Sequence, residues 1–302
     1  GKSILEHLVR DSSLFLVCVG RNIKYKPFIN SKISYHKWNF TSFKDSNLLF
    51  LKKSNIIINC AGKSDDIKSN QENINTIFIK KLLEYINNYK FKVRFLHLSS
   101  VSVYGSEKNF LNRLKLFSEK STVNANNLYS ESKLKADLII QNFTKKNLSN
   151  NFSYTILRIS NVYGGQNKSN LLKYVIFSIK SGFWIKCSND ILFNFINVKD
   201  VAQSVILVIN KLKVSKNKIY IVSDDCKQFT IYNDYQKFYK KKIIKIQISK
   251  YLINFLINFL PLPKKIINFM KLISNKTSYS NKKIKNELNF KPKFSLINII
   301  KT

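Results

Sequence analysis

The chain has 302 residues, 44% of them hydrophobic and 13% aromatic, so it can bury a large core and is not intrinsically disordered. The formal net charge of +35 raises the question of nucleic-acid binding, but only five of the 52 basic residues are arginine, the side chain that base recognition favours. The lysines are spread along the whole length, which argues against a nucleic-acid partner and leaves attraction to anionic substrates or membrane surfaces.

Neither the cysteines nor the apolar stretches predict a metal site, a disulfide or a membrane span. Cys18, Cys60, Cys187 and Cys226 are far apart and form no C-x-x-C pair, which fits a reduced setting. The stretch 251–263 is too short to cross a bilayer and contains two prolines. No signal peptide is visible, so we expect a cytoplasmic protein.

Short apolar runs alternate with helical patterns along the first half of the chain. The runs predict buried strands at 14–20, 55–62, 93–100 and 154–164. Apolar residues at helical spacing predict helices at 75–89 and 130–143. This alternation is typical of an α/β fold with a doubly wound, Rossmann-like parallel sheet.

The domain organisation follows from the same patterns. No linker rich in Pro, Gly or Ser divides the chain, so we expect a smaller C-terminal lobe that is interwoven with the first domain. We predict a dinucleotide-binding domain over 1–165 and a substrate lobe over 166–302, with 194–224 returning to the first domain.

Ligands of such sheets bind outside the carboxyl ends of the strands. This rule selects the segments 59–62, 99–102 and 160–164. The helix that follows the second segment begins near Tyr129 and carries Lys133 one turn later, on the same helix face. Of two other Y-x-x-x-K matches, Tyr104/Lys108 lies inside a loop with Gly105 and Tyr279/Lys283 lies in a lysine-rich C-terminal stretch, and we therefore select Tyr129 and Lys133.

Five motifs in order resemble the extended short-chain dehydrogenase/reductases, the NAD(P)-dependent nucleotide-sugar epimerases and dehydratases. They are NIIINCAG (55–62), FLHLSSVSVYG (95–105), NLYSESKLKAD (127–137), LRISNVYG (157–164) and FNFINVKDVAQSV (193–205). The segments 219–231 and 276–296 are similar to the closing parts of nucleotide-sugar 4-epimerases and 4-keto-reductases. Among these, the branch acting on UDP-N-acetyl-hexosamines is the most similar.

The resemblance implies a catalytic set of Ser100, Tyr129 and Lys133. Tyr129 would be the general base at the sugar C4 hydroxyl, and Ser100 would hydrogen-bond the C4 oxygen. A free tyrosine has a pKa near ~10, and the Lys133 ammonium would favour the phenolate while binding the nicotinamide ribose. Ser99 and Ser102 compete with Ser100 for its role.

The resemblance also implies binding residues. Those expected to contact the cofactor are Gly1, Arg21, Asn39, Asn59, Ala61, Gly62, Asn75, Ser99, Tyr129 and Lys133. Those expected to contact the substrate are Ser100, Ser102, Arg158 and Asn161. Five have structural alternatives: Ser100 as a loop cap, Asn75 as a helix cap, Asn161 as a turn residue, Arg158 as an ion-pair residue, and Arg21 as a residue that only stacks on adenine or points to solvent. Arg21 follows the second expected strand, where NAD-specific enzymes carry an acid, so either NAD or NADP is expected, with a lean to NADP.

Two departures from the family pattern stand out. The chain opens GKSILEHLVR, so the first strand and most of the glycine-rich loop that opens onto the pyrophosphate are missing from this sequence. We therefore expect the dinucleotide-binding domain to be N-terminally incomplete. Phe193 and Asn197 stand where the family has arginine and histidine, and the arginine often holds the substrate phosphate.

The sequence therefore predicts a nucleotide-sugar epimerase or 4-keto-reductase acting at C4, for O-antigen or capsule precursors. Its substrate would be UDP-linked, and the chain would form a homodimer. A 4,6-dehydratase is the first alternative, although no carboxylate lies near Ser100 in sequence. A catalytically inactive dinucleotide-binding member of the family is the second.

Overall fold

The computed structural model describes residues 1–294 except 22–27, 29–30, 41–42, 44–47, 63–71, 91, 106–114, 147–150, 166–172, 174–175, 178–180, 188–190 and 241. The helices are α1 (Lys2–Leu8), α2 (Leu49–Lys52), α3 (Phe78–Asn88), α4 (Leu128–Lys146), α5 (Val198–Asn210), α6 (Gln228–Tyr239), α7 (Lys250–Phe259), α8 (Lys264–Ile273) and α9 (Lys282–Leu288). A π-helical turn (Glu72–Ile77) precedes α3, and a 3₁₀ turn (Val101–Tyr104) follows β4.

The strands are β1 (Leu16–Gly20), β2 (Ile33–Lys37), β3 (Ile56–Asn59), β4 (Val93–Ser100), β5 (Lys115–Phe117), β6 (Phe152–Ile159), β7 (Asn161–Tyr163), β8 (Phe183–Lys186), β9 (Leu192–Asn197), β10 (Lys218–Val222), β11 (Asp224–Lys227), β12 (Ile244–Gln247) and β13 (Thr277–Tyr279). Four of them form the central sheet in the order β10-β6-β4-β3, and all its pairs are parallel. Their near-continuous apolar runs suit strands that are covered on both faces.

Helices cover both faces of the central sheet. On one face, α3 and α4 contribute Ile79, Leu82 and Ile140 to a core cluster that contains Phe95 and Ile156 of the sheet. On the other face, side chains of α1, α5 and α9 pack on alternate residues of the same strands, such as Leu96 and Leu157. The period of two along each strand separates the two cores. The prediction of a doubly wound parallel α/β fold is confirmed.

Strands β1 and β2 form a separate parallel pair. Within the described residues, no strand pairing joins β1 to β3, the edge strand of the central sheet. Strands β1 and β3 nevertheless share a core, since Leu16 of β1 and Ile58 of β3 pack against the same hydrophobic cluster. The parallel strands expected in one Rossmann-like sheet thus form two sheets, and the division falls between β1 and β3.

The C-terminal part adds small sheets beside the central one. Strand β9 pairs with β7 in parallel and with β11 antiparallel, β12 pairs with β8, and β13 pairs with β5. A separate aromatic cluster around Trp184, Phe193 and Tyr232 fills this region. Strand β10 and helix α5, which lie within residues 194–224, pack in the central layers. The proposed domain boundaries themselves stay predictions.

Candidate active site

Tyr129 and Ser100 meet at the carboxyl end of β4. Helix α4 starts immediately after Asn127, whose Oδ1 accepts the Ser130 backbone N–H at 3.0 Å and so satisfies one free donor of the first turn. This cap places Tyr129 in the first turn, within hydrogen-bonding reach of Ser100. Ser100 also accepts the Ser102 backbone N–H at 3.2 Å, which fixes the turn after the strand.

The ionisation of Tyr129 is set by burial and by this hydrogen bond. Burial raises the pKa of the Tyr129 phenol, and the hydrogen bond with Ser100 acts in the opposite direction. Within the described part of the chain, Ser100 and not Lys133 is the group that lowers it. The effect of the Lys133 ammonium on the phenol stays a prediction.

Lys133 lies one turn below Tyr129 and is 5% exposed. Its Nζ donates to the Leu98 carbonyl oxygen of β4 at 3.1 Å. Burial lowers the pKa of Lys133, and the carboxylate of Asp137 opposes that shift. A cation is thus held at the carboxyl end of the central sheet.

Gly62 and Asn75 line the space beside the Lys133 ammonium. A Cβ atom added to Gly62 would lie 3.0 Å from Lys133 Nζ and 3.4 Å from Asn75 Oδ1, so only glycine leaves this space open. Asn75 is buried, and its Nδ2 donates to Ser132 Oγ at 2.9 Å. Ser132 in turn donates to the Tyr129 carbonyl at 2.8 Å, so Asn75 fixes the first turn of α4.

A buried polar layer lies under Lys133, between the site and the apolar core. Its members are Asn59 of β3, His97 and Ser99 of β4, Arg158 of β6 and Asp137 of α4, each at most 5% exposed. The strand pairings place Asn59 beside His97 and Ser99 beside Arg158. The layer therefore spans three adjacent strands and the helix that carries Tyr129 and Lys133.

The layer is connected by short contacts. Asn59 Oδ1 accepts the Ala61 backbone N–H at 3.0 Å, and Asn59 Nδ2 lies 3.1 Å from His97 Nδ1. An Asn59 donor requires Nδ1 to accept, which places the ring proton on Nε2. His97 Nε2 lies 3.9 Å from Asp137 Oδ1. Burial lowers the pKa of His97 well below its usual value, so the ring is neutral.

Arg158, expected at the substrate, occupies this layer instead. Its Nε donates to Asp137 Oδ2 at 3.0 Å, and its Nη1 donates to the Tyr104 hydroxyl at 2.9 Å. The guanidinium lies 4.9 Å from the Tyr104 ring centre. With 3% exposure it is a buried ion-pair residue, which is the second of the two interpretations that the sequence left open.

The other expected substrate contacts differ in their surroundings. The Ser102 hydroxyl oxygen is buried and has no hydrogen-bond partner within the described residues. Asn161 is exposed, and its Nδ2 donates to the Asn194 carbonyl at 3.1 Å, which ties β7 to β9. Ser99 is buried and faces the Asp137 carboxyl rather than solvent. The substrate roles of Ser102 and Asn161, and the cofactor role of Ser99, stay predictions.

Three expected cofactor residues lie outside this cluster. Gly1 is exposed immediately before α1, and Arg21 is exposed directly after β1. Asn39 is exposed two residues beyond β2. Arg21 and Asn39 belong to the side of the fold that carries the β1–β2 pair, whereas the Gly1 amino group lies beside Cys60, directly after β3. The contact of all three with a cofactor stays a prediction.

The residues that depart from the family pattern have structural roles here. Phe193 is 1% exposed and packs 5.7 Å from the Phe195 ring in the aromatic cluster of the lobe. Asn197 caps α5, because its Oδ1 accepts the Lys199 backbone N–H at 2.9 Å. Neither residue replaces the charge of the arginine and histidine that the family carries.

The Y-x-x-x-K match formed by Tyr279 and Lys283 lies away from Tyr129 and Lys133. Tyr279 belongs to β13 and packs with Phe117 and Tyr104. Lys283 donates to the Ile219 carbonyl at 2.9 Å and lies over the Tyr220 ring. Lys108, of the third match, falls outside the described residues.

The described residues also bear on metal sites, thiols and membrane spans. Across the parts of the chain that the structure describes, no group of three or more His, Cys, Asp or Glu residues could hold a metal ion. All four cysteines are free thiols. None of the described helices has the length and hydropathy that crossing a bilayer requires.

Comparison with known protein families identifies this arrangement. A model of the NAD dependent epimerase/dehydratase family matches residues 1–223. The chain belongs to this family. The match covers most of the chain and includes every residue of the catalytic set and of the polar layer. Comparison with curated proteins finds no match.

Several solved structures share the fold of this family member. UDP-glucuronic acid 4-epimerase from Bacillus cereus in complex with UDP-glucuronic acid and NAD has a TM-score of 0.71 at 16% identity, over 100% of this chain and 93% of that one. UDP-glucose 4-epimerase from Thermotoga maritima with UDP-glucose has a TM-score of 0.68 at 14% identity, over 100% and 93%. RMD from Pseudomonas aeruginosa, complexed with NADPH, has a TM-score of 0.63 at 15% identity, over 98% and 92%.

Sequence reasoning missed Asp137, Ser132, His97 and Tyr104. A weak signal existed for the first, since Asp137 lies four residues beyond Lys133 and so faces the same side of α4. A carboxylate on the sheet-facing side of a helix needs a buried partner. The structure supplies that partner as Arg158 of β6.

Proposed function

We propose that this member of the family is a nucleotide-sugar epimerase or 4-keto-reductase that acts at C4 of a UDP-linked sugar, with Ser100, Tyr129 and Lys133 as its catalytic set. The observation that carries the proposal is that Ser100, the last residue of β4, and Tyr129, in the first turn of α4, lie next to each other. The buried Lys133 cation stands one turn away on the same helix. The fold that the chain shares with two UDP-sugar 4-epimerases supports the choice of substrate class.

The residues around Lys133 fit the nicotinamide end of a dinucleotide. The missing Cβ of Gly62 leaves open the space next to the Lys133 ammonium, which can donate hydrogen bonds to ribose hydroxyls. Asn75 closes the far side of this space. When bound, NAD or NADP supplies reversible hydride transfer.

The chain's own residues would handle the proton and the orientation of the sugar. Tyr129, as phenolate, accepts the proton of the C4 hydroxyl, and the phenol returns it when the hydroxyl is restored. Ser100 hydrogen-bonds with Tyr129 and is placed to hold the C4 oxygen beside it. Lys133 stays protonated and holds its position through the Leu98 carbonyl.

A 4,6-dehydratase requires an acid–base carboxylate near the sugar. Asp137 is the carboxylate of the buried polar layer, and it forms a buried ion pair with Arg158. A carboxylate held in this way is not available for proton transfer to a substrate. This contact favours the epimerase or reductase over the dehydratase.

The cofactor preference and the pathway are also proposals. Arg21 is exposed directly after β1 and can meet a 2′-phosphate, which favours NADP, and Arg21→Ala should then weaken NADPH binding more than NADH binding. Synthesis of surface-polysaccharide precursors, a cytoplasmic location and a homodimer are inferred from the family resemblance.

The test uses the protein expressed from its complete reading frame. It is incubated with NAD and UDP-N-acetylglucosamine or UDP-glucuronic acid, and the C4 configuration is followed by NMR; a second assay follows NADPH oxidation with a UDP-4-keto sugar. Tyr129→Phe should reduce the rate by about 10²–10⁴-fold. Tyr279→Phe is the matched control, because Tyr279 begins the other described Y-x-x-x-K match.

The outcomes separate the candidates. C4 inversion that Tyr129→Phe abolishes establishes an epimerase, and NADPH oxidation without inversion establishes a reductase. Turnover that survives Tyr129→Phe contradicts the assigned base. Absence of both activities, with dinucleotide binding retained, would identify an inactive binding protein.

A further inference from the structure

Helix α7 exposes an apolar face that nothing in the described structure covers. Tyr251, Leu252, Phe255 and Phe259 are 67%, 49%, 53% and 73% exposed, and Leu260, directly after the helix, is 43% exposed. At about 100° per residue, the four helical side chains fall within about 100° of arc, on one side of the helix. Contiguous exposed apolar surface of this kind marks an interaction site.

The opposite side of α7 is anchored in the lobe. Ile253 is 1% exposed and packs in a cluster with Ile273, while Ile257 packs partly buried against the same cluster. The helix is therefore apolar on two sides, and one of them faces the protein interior. The exposed side is presented by a helix that is fixed in place.

The surroundings of this face are strongly cationic. The segment from 240 to 273 contains eight lysines and no aspartate or glutamate. Lys250, the first residue of α7, holds its ammonium 5.2 Å from the Tyr251 ring centre. Aromatic and aliphatic side chains flanked by lysines are typical of helices that lie in the interface of an anionic membrane.

We propose that the exposed face of α7 binds the surface of anionic lipid bilayers, with Tyr251, Leu252, Phe255 and Phe259 entering the interfacial region and the neighbouring lysines contacting lipid phosphates. The enzyme thereby associates peripherally with membranes. The proposal is independent of the reaction at Tyr129.

Two other occupants fit less well. A symmetric contact with a second copy would bring the same lysine-rich segment against itself, and like charges would oppose it. RNA would be held by aromatic stacking together with arginine, but the sequence contains no arginine after Arg158. Leu252 within the face, and Leu260 directly after the helix, are aliphatic and suit lipid rather than bases.

The test is co-sedimentation of the full protein with vesicles of phosphatidylcholine alone or phosphatidylcholine mixed with phosphatidylglycerol. We expect binding to the mixed vesicles only, and an affinity about tenfold lower for the double variant Phe255→Ser/Phe259→Ser. Phe15→Ser is the matched control, because Phe15 is 79% exposed and precedes β1, on another part of the fold. Circular dichroism confirms that each variant is folded.

A second readout detects insertion directly. The fluorescence of Phe255→Trp should shift to shorter wavelength on mixed vesicles, because the indole leaves water. Mixed-vesicle binding that the double variant retains in full would show adsorption through lysine charge and would overturn the proposal. The proposal would also be overturned if the protein did not bind vesicles but instead bound an RNA oligonucleotide, or self-associated in light scattering, and the double variant lost that behaviour.

Discussion

The Arg158 guanidinium donates to the Asp137 carboxylate at 3.0 Å, and this ion pair lies one helical turn from Lys133. Both side chains are almost fully buried, at 4% and 0% side-chain exposure. Burial raises the pKa of the Asp137 carboxyl, while Arg158 acts against that shift. The pair joins α4 to β6 directly beneath the catalytic set, so the position of Tyr129 and Lys133 depends on it.

Removing one partner of this pair should destabilise the protein strongly. Asp137→Leu leaves the Arg158 guanidinium buried without a counter-charge, and we expect a loss of about 3–5 kcal/mol in the free energy of unfolding. Asp137→Leu with Arg158→Met removes both charges and should recover most of that loss. Urea denaturation measures both values.

An exposed ion pair provides the control for this comparison. Lys80 and Glu84 lie 4.0 Å apart on α3 with 68% and 57% side-chain exposure. Glu84→Ala should cost less than about 0.5 kcal/mol. If Asp137→Leu were equally mild, the buried pair would not be what holds α4 on the sheet.

Ser100 should tune the ionisation of Tyr129. The pKa of the Tyr129 phenol is raised by burial and lowered by its hydrogen bond with Ser100. Ser100→Ala removes the lowering contribution, so the pKa rises further and the phenolate forms at higher pH. Since the base must be ionised, the rising limb of the kcat/KM profile should move to higher pH in this variant.

The same shift can be measured without turnover. Ultraviolet absorbance at rising pH reports phenolate formation, and the difference between the parent protein and Tyr129→Phe isolates this tyrosine. Ser102→Ala is the control, because Ser102 is a neighbouring serine that hydrogen-bonds Ser100 through its backbone only. An unchanged titration of Tyr129 in Ser100→Ala would rule out the serine as its hydrogen-bond partner.

Gly62→Ala should weaken cofactor binding while preserving the fold. The added Cβ would lie 3.0 Å from Lys133 Nζ, the flexible end of a long side chain, so the ammonium moves and stability changes by less than about 1 kcal/mol. The displaced ammonium and the lost space should reduce NAD(P) affinity by about tenfold, or about 1.4 kcal/mol. Isothermal titration calorimetry gives the dissociation constant.

A double-mutant cycle makes this prediction specific. In a Lys133→Ala background the clash is absent, so Gly62→Ala should cost much less affinity there than in the parent protein. Equal losses in both backgrounds would show that Gly62 acts through something other than Lys133.

The sequence predicted the fold and the core of the site because both depend on local patterns. Apolar runs located β3, β4 and β6 within a few residues, and helical spacing located α3 and α4. The rule that ligands bind at strand ends then brought Ser100 and Tyr129 together without any knowledge of distances. The two residues do lie side by side, and the roles assigned to them stay predictions.

What the sequence did not predict depends on contacts between distant residues. Asp137 and Arg158 are 21 residues apart and meet only because α4 packs across β6. Strands β5 and β13 are three residues each and are separated by more than half of the chain, so no periodicity reveals them. The burial of Phe193 likewise follows from the aromatic cluster of the lobe, which no local pattern marks.

Restoring the family arginine at position 193 should therefore not restore a phosphate contact. Phe193 is 1% exposed and packs among aromatic rings, so Phe193→Arg would bury a charge without a partner and cost about 3–5 kcal/mol. Phe193→Leu keeps the site apolar and should cost only about 1–1.5 kcal/mol. Thermal unfolding compares the two variants, and calorimetry with UDP tests for a new phosphate contact. An arginine variant that is as stable as the parent and binds UDP more tightly would mean that position 193 faces the substrate, and that the aromatic cluster can open to admit the charged side chain.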